Sequence, residues 1–145
     1  MQNMLKKERG KKTKTNELYD LAERDGISII CCELPENKSV SIPDYIGIDP
    51  FSIETTAEER THLAHELGHC ETGAFYSTFS PLDIRAKHEH KANVWAVKHL
   101  IPIDNFYQAI DAGLTHTWEL AEHFNVTEDL IKFAADYYAN NRNII

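Results

Sequence analysis

The run His65-Glu66-Leu67-Gly68-His69 leaves the middle of this chain little conformational freedom. Its HExxH spacing has meaning only on a helix, where positions i and i+4 project from one face about one turn apart. Two imidazoles so placed can hold one tetrahedral zinc ion at about 2.0–2.1 Å. The glutamate beside the first histidine can take a proton from a water molecule as that water attacks a carbonyl. The flanking sequence supplies the helix. Thr56-Ala57-Glu58-Glu59 has the form of a capping box, and Gly73 stands just beyond a helix running from Thr56 to about Cys70 or Glu71. Leu63 and Leu67 are also four apart but turned away from the histidines, which assigns them to the buried side. Gly68 costs a helix about 1 kcal/mol relative to alanine, so something is expected to pack close to it.

Zinc needs a third protein ligand and an open position. The extended HExxHxxGxxH form is absent, because Thr72 stands in place of the glycine and Phe75 in place of the last histidine. The ligand must come from elsewhere, and His88, Glu89 and His90 lie on a second helical run, near Ile84–Leu100, that stops before Pro102. Glu89 is the choice, since its stripe continues through Ala92, Asn93 and Ala96, whose small side chains let two helices approach. Asn93, one turn after Glu89, can hydrogen-bond the far nitrogen of a zinc-bound histidine. His88 and His90 point off this stripe.

The rest of the chain reads as α+β: a small mixed sheet packed on a mainly helical, zincin-like core with a C-terminal helical hairpin. A helix from about Thr15 carries Leu18, Leu21 and Ala22 at helical spacing and ends at Gly26. ISIICCEL is continuous and β-branched, the pattern of a buried strand, and SVSI and YIGID supply two short extended pieces around Pro43. Asp104 opens a short helix through Ala112. Thr117–Phe124 and Glu128–Asn140, joined by Asn125-Val126-Thr127, form the terminal hairpin. Its expected core is Leu120, Ala121, Phe124, Val126, Leu130, Ile131 and Ala134, with Trp118, Tyr137 and Tyr138 as core or docking anchors.

The 145 residues suit one domain, placed at 15–145, and 42% hydrophobic content suffices for one core. Residues 1–14 hold a basic cluster (Lys6, Lys7, Arg9, Lys11, Lys12, Lys14) and are expected to form a flexible tail. The remainder is therefore more acidic than the whole chain's −8, which disfavours direct contact with nucleic acid or anionic lipid. The last helix presents Glu128, Asp129, Lys132 and Asp136, a poor surface for DNA, so the hairpin is expected to serve packing or partner docking. The basic start is not followed by an apolar secretory region, and nothing approaches the roughly 18 apolar residues of a membrane span. Three cysteines without a CxxC pair argue for a reducing, cytoplasmic setting.

Two stretches together, THLAHELGHCETG and HEHKANVWAVKHLIP, resemble the ImmA/IrrE family of zinc peptidases. That family pairs an AHELGH helix with an E-x-x-A-N segment, and Glu89 through Ala96 match the second motif position by position. The resemblance implies zinc held by His65, His69 and Glu89, with Glu66 as the catalytic carboxylate of a gluzincin-like site. It also implies a protein substrate: members cleave a helix-turn-helix repressor encoded by a phage or mobile element. An extended segment before the active helix, here Tyr45, Ile46, Gly47, Ile48 and Asp49, is expected to act as an edge that pairs with the substrate backbone. Cys70 departs from the family pattern and is expected to be a small buried hydrophobe. For a group that stabilises an oxyanion, Tyr76, His88, His90, His99 and Tyr107 all stay open. A non-catalytic, metal-stabilised regulator that binds a repressor is the alternative function.

Overall fold

The computed structural model describes residues 14–141, so the basic tail expected at 1–14 lies outside the described residues but for Lys14, which opens the first helix. Helix α1 spans Lys14–Arg24 and ends at Gly26, whose φ of 74° is a left-handed conformation that glycine adopts without cost. Strands β1 (Ser28–Cys31), β2 (Ser39–Ile42) and β3 (Tyr45–Ile48) follow, then helices α2 (Thr56–Thr72), α3 (Leu82–Leu100), α4 (Ile103–Asp111), α5 (Thr117–Phe124) and α6 (Glu128–Asn140). The class is α+β, as the order of patterns implied.

The sheet is mixed, in the order β1-β3-β2. β2 and β3 form an antiparallel hairpin, and β1 lies parallel to β3 on its other side. Two expectations fail here. Tyr45–Ile48 is the central strand, with both of its hydrogen-bonding edges taken, and Asp49 extends the pairing by donating its N–H to the Lys38 carbonyl. Residues 45–49 therefore cannot form a free substrate edge; the hairpin turn at Pro43-Asp44 folds β2 to the outside instead. Asp49 has another task, since its carboxylate accepts from the Leu34 and Phe51 amides and anchors the loop before α2. The second failure is β1. It is an edge strand with helices on one face only, so Ile30 is exposed where a fully buried run was expected. Continuous β-branching signals strand but does not say whether the second face is covered.

Helices cover the other face. Ile46 and Ile48 point inward and are fully buried against Leu63, Leu67, Val97 and Ile101. At the N-terminus of α2 the cap is Thr55, one residue before the expected Thr56. Its hydroxyl accepts from the Glu58 amide while the Glu58 carboxylate accepts from Glu54 N–H. Gly73 closes α2 with φ 68°, donating to the His69 carbonyl.

Helices α2 and α3 cross at backbone contact. A Cβ on Gly68 would sit 2.6 Å from the carbonyl oxygen of Ala92 and 3.0 Å from its Cα. Gly68, Ala92 and Ala96 thus let two backbones touch, which explains the glycine inside a helix. The terminal hairpin buries all seven of its expected core residues, and Asn125 makes its corner in a left-handed conformation. It is fastened to α2 by Arg60, whose buried guanidinium donates to the carbonyls of Phe124 (2.6 Å) and Asn125 (3.0 Å), and by Thr61, which accepts from Thr127 N–H. Tyr138 is core and donates to the Ile101 carbonyl at 2.6 Å, whereas Trp118 is exposed and anchors nothing within the chain's core.

Candidate active site

The close crossing sets the geometry of the site. On α2, His65 and His69 face α3, and their Nε2 atoms lie 3.2 Å apart. One turn before Ala92 on α3, Glu89 puts its carboxylate 2.7 Å from His65 Nε2 and 3.3 Å from His69 Nε2. The three side chains form the group among the described residues with the spacing a metal ion needs. Four ligands at about 2.0–2.1 Å around a tetrahedral ion are separated by about 3.3 Å, which the 3.2 and 3.3 Å separations match. The 2.7 Å distance between His65 and Glu89 is that of a direct hydrogen bond.

Both rings are oriented from behind. His65 Nδ1 donates to Asn93 Oδ1 at 2.7 Å, and His69 Nδ1 donates to the Ala74 carbonyl at 2.6 Å. With Nδ1 committed as donor, the neutral ring offers the Nε2 lone pair toward the cluster. Lone pairs of two imidazoles and a carboxylate would then converge on one point, an arrangement that a cation must neutralise. Without metal, a proton plays that part. Burial works against charge on both histidines, but the Glu89 carboxylate, with help from Glu66 and Asn93 at His65 and from the Ala74 carbonyl at His69, raises their pKa values above the ordinary 6.5. Hydrogen bonds from His65, His69 and, more weakly, Tyr76 hold Glu89 well below the usual carboxylate range. The residues therefore fit a divalent cation, and a donor set of two nitrogens and one oxygen suits zinc.

Glu66 is buried next to the cluster. It opens on a cleft of about 820 Å³ lined by Lys38, Ser39, Val40 and Ser41 of the β2 segment on one side and by Thr127, Leu130 and Phe133 on the other. The same cleft is lined by His65, His69 and Glu89, so it reaches the cluster. β2, not β3, is its sheet edge.

Of the five groups left open as oxyanion stabilisers, Tyr76 is the one at the cluster. Its hydroxyl donates to Glu89 Oε1 at 2.5 Å, its ring meets His69, and its bond to Glu89 together with burial pushes its pKa up to about 12. His88 stacks on Tyr76, His90 packs on Phe133 and Tyr137, and His99 stacks on Trp95; none joins the metal-spaced group. Tyr107 lies against Phe106, away from the cleft. Cys70 sits half-buried beside the Ile42 carbonyl, and burial pushes its thiol up to about 11, consistent with packing and not with ligation. Ser39, Ser41 and His62, which all approach Glu66, have no counterpart among the sequence expectations. Their signal was present only as two serines spaced i, i+2 in SVSI, which a strand places on one face.

Among families of known proteins, the model of the IrrE N-terminal-like domain, Peptidase_M78, matches residues 51–136, from the loop before α2 to the last turns of α6. No curated protein and no solved structure matches the chain. No helix among the described residues is long and apolar enough to cross a membrane.

Proposed function

The chain belongs to the IrrE N-terminal-like peptidase family, and on that premise we propose that it is a zinc-dependent endopeptidase of narrow specificity. The observation that carries the proposal is the convergence of His65 Nε2, His69 Nε2 and the Glu89 carboxylate at the spacing a metal ion needs, beside a buried Glu66 at the wall of an open cleft. Asn93 and the Ala74 carbonyl keep the two imidazoles in the ligating tautomer. A zinc ion bound there supplies Lewis acidity toward a carbonyl oxygen and acidifies water.

The chain's own residues do the rest. Glu66 accepts a proton from the attacking water and passes it to the amine nitrogen that leaves when the peptide C–N bond breaks. Tyr76, whose hydroxyl already lies at the cluster, donates a hydrogen bond to the oxygen that gains negative charge. The edge of β2 provides backbone groups for an extended substrate, and Leu130 and Phe133 line the opposite wall. A substrate that must lie extended between a sheet edge and a helix face is a flexible or locally unfolded segment of a protein, which accounts for narrow specificity. The resemblance of the two motifs supports a helix-turn-helix repressor of a phage or mobile element as that protein, and a cytoplasmic place of action.

The test is incubation of the zinc-loaded chain, and of its Glu66→Gln variant, with the helix-turn-helix regulator encoded nearest its gene. The expected result is defined fragments with the native chain and a rate lower by about 10²–10⁴ with the variant. Equal cleavage by both, or a purified chain that binds no zinc, overturns the proposal. Tight binding of the regulator by both proteins without fragments would instead favour the non-catalytic regulator.

A further inference from the structure

The Glu66 carboxylate is gripped from the sheet. Ser39 Oγ donates to its Oε2 at 2.7 Å, and Ser41 Oγ donates to its Oε1 at 2.7 Å. Both ends of the carboxylate are thus engaged at once, in a place where Ser39 is 8% and Glu66 7% exposed. His62, one turn before Glu66 on α2, puts Nδ1 3.3 Å from Ser39 Oγ and closes the grip from the other side. A glutamate reaches its carboxylate through three rotatable bonds, and two donors on different oxygens fix both its position and its plane. Each carboxylate oxygen can accept more than one hydrogen bond, so the serines leave capacity for a water proton.

The backbone of the same two residues faces elsewhere. Among the described residues β2 pairs with β3 alone. Asp49 N–H donates to the Lys38 carbonyl, and Lys38 lies opposite Asp49 in the continued ladder. In an antiparallel pair the bonded positions alternate, so Lys38, Val40 and Ile42 direct their N–H and C=O groups toward β3. Ser39 and Ser41 direct theirs outward, along the edge that lines the cleft. Their side chains hold Glu66 while their main chain offers the pairing groups for an incoming strand.

We propose that Ser39 and Ser41 are positioning residues that set the Glu66 carboxylate beside the metal cluster and tie its placement to the docking of an extended peptide along β2. The proposal rests on the peptidase function stated above. An extended chain hydrogen-bonded to the outer edge of β2 fixes that strand against α2, and the two hydroxyls transmit the fixed position to the carboxylate. A short edge strand carrying alternating serines is thereby both docking rail and support for the proton-transferring group.

The probe is acetohydroxamic acid, which chelates zinc and hands its hydroxyl proton to a carboxylate placed beside the metal. Its affinity for the full-length, zinc-loaded chain is measured by calorimetry, and zinc affinity is measured separately by chelator competition. The expected results are binding by the native chain and loss of at least about tenfold in Glu66→Gln. The Ser39→Ala/Ser41→Ala double variant should lose about tenfold as well, with zinc affinity within about twofold of native, and Ser39→Thr/Ser41→Thr should recover most of the loss. If Glu66→Gln loses hydroxamate affinity and the alanine pair does not, the positioning role is overturned and the peptidase proposal stands. If the alanine pair loses zinc affinity in the same proportion, the serines support the fold and not the carboxylate, and the positioning role is again overturned. If Glu66→Gln binds hydroxamate as the native chain does, Glu66 does not face the metal, and the peptidase proposal falls with it.

Discussion

Replacing Gly68 with alanine separates helix propensity from helix contact, because the two predict opposite signs. Propensity alone predicts a gain of about 1 kcal/mol for alanine inside a helix. The structure predicts a loss. The new Cβ would stand 2.6 Å from the Ala92 carbonyl oxygen, against 3.4 Å for the start of ordinary contact, so the two backbones must part by about 0.8 Å. The obstacle is main chain, which has no rotamer to escape into. Overpacking of this kind costs about 1–3 kcal/mol, and with main chain as the obstacle the upper part of that range applies, leaving a net loss of up to about 2 kcal/mol after the propensity gain. The displacement also reaches the metal site, since Glu89 lies one turn from Ala92 on the same helix. A carboxylate oxygen that binds zinc at about 2.0–2.2 Å cannot move 0.8 Å outward and stay bound without strain, so zinc affinity should fall at least about tenfold. Thermal unfolding with and without zinc, together with chelator competition, measures both terms. Trimming Ala92 to glycine as well should not rescue Gly68→Ala, because the clash is with the carbonyl oxygen and not with a methyl group. A variant that melts higher than native and binds zinc equally well would refute the close-crossing account of the site.

Further outcomes follow from other contacts. Asn93→Ala frees the His65 ring and should weaken zinc binding about 10–100-fold while changing stability little, as read by the same competition assay. Arg60→Met strips the buried Phe124 carbonyl and the part-buried Asn125 carbonyl of this donor and should cost about 2–4 kcal/mol in urea unfolding, with zinc affinity unchanged in the fraction that stays folded. The metal-free chain should show a pH window. Burial pulls His65 and His69 down but Glu89 and its neighbours raise them on balance, so their contribution is full below about pH 6.5 and lost as pH climbs through the raised value. Glu89 is depressed by those histidines, so its contribution is full above about pH 4.5 and lost as pH falls through the lowered value. Thermal midpoints of metal-free protein should therefore peak between about pH 4.5 and 6.5, whereas zinc affinity should keep rising above that range as the imidazoles lose their protons. A metal-free midpoint that climbs steadily from pH 5 to 8 would contradict the charge assignment.

Much of the site was legible because its information is local. Helical spacing alone puts His65 and His69 on one face, and the same period along α3 places Glu89, Ala92, Asn93 and Ala96 on one stripe. Gly68 told of a close neighbour because an interior glycine needs a reason, and the hairpin core from Leu120 to Ala134 followed from its period. The helices were legible for the same cause: caps such as Gly73 and stops such as Pro102 act within a few residues of where they stand.

Tertiary structure decided what depends on neighbours distant in sequence. Whether YIGI or SVSI became the edge strand was settled by β1 joining β3 in parallel, a pairing of residues 17 apart in sequence that no periodicity records. That one choice put the free sheet edge at Ser39–Ile42 and not at Tyr45–Asp49, and it brought two ordinary serines onto the Glu66 carboxylate. The tertiary fold likewise singled out Tyr76 among five polar groups, because the segment after Gly73 brings its ring to His69 and its hydroxyl to Glu89. The sequence by itself determined which groups can hold a metal and move a proton, since those demands are met by residue type and spacing along single helices. The tertiary fold determined what surrounds them, since hydrogen bonds to a carboxylate and a free sheet edge exist only once separate segments have packed.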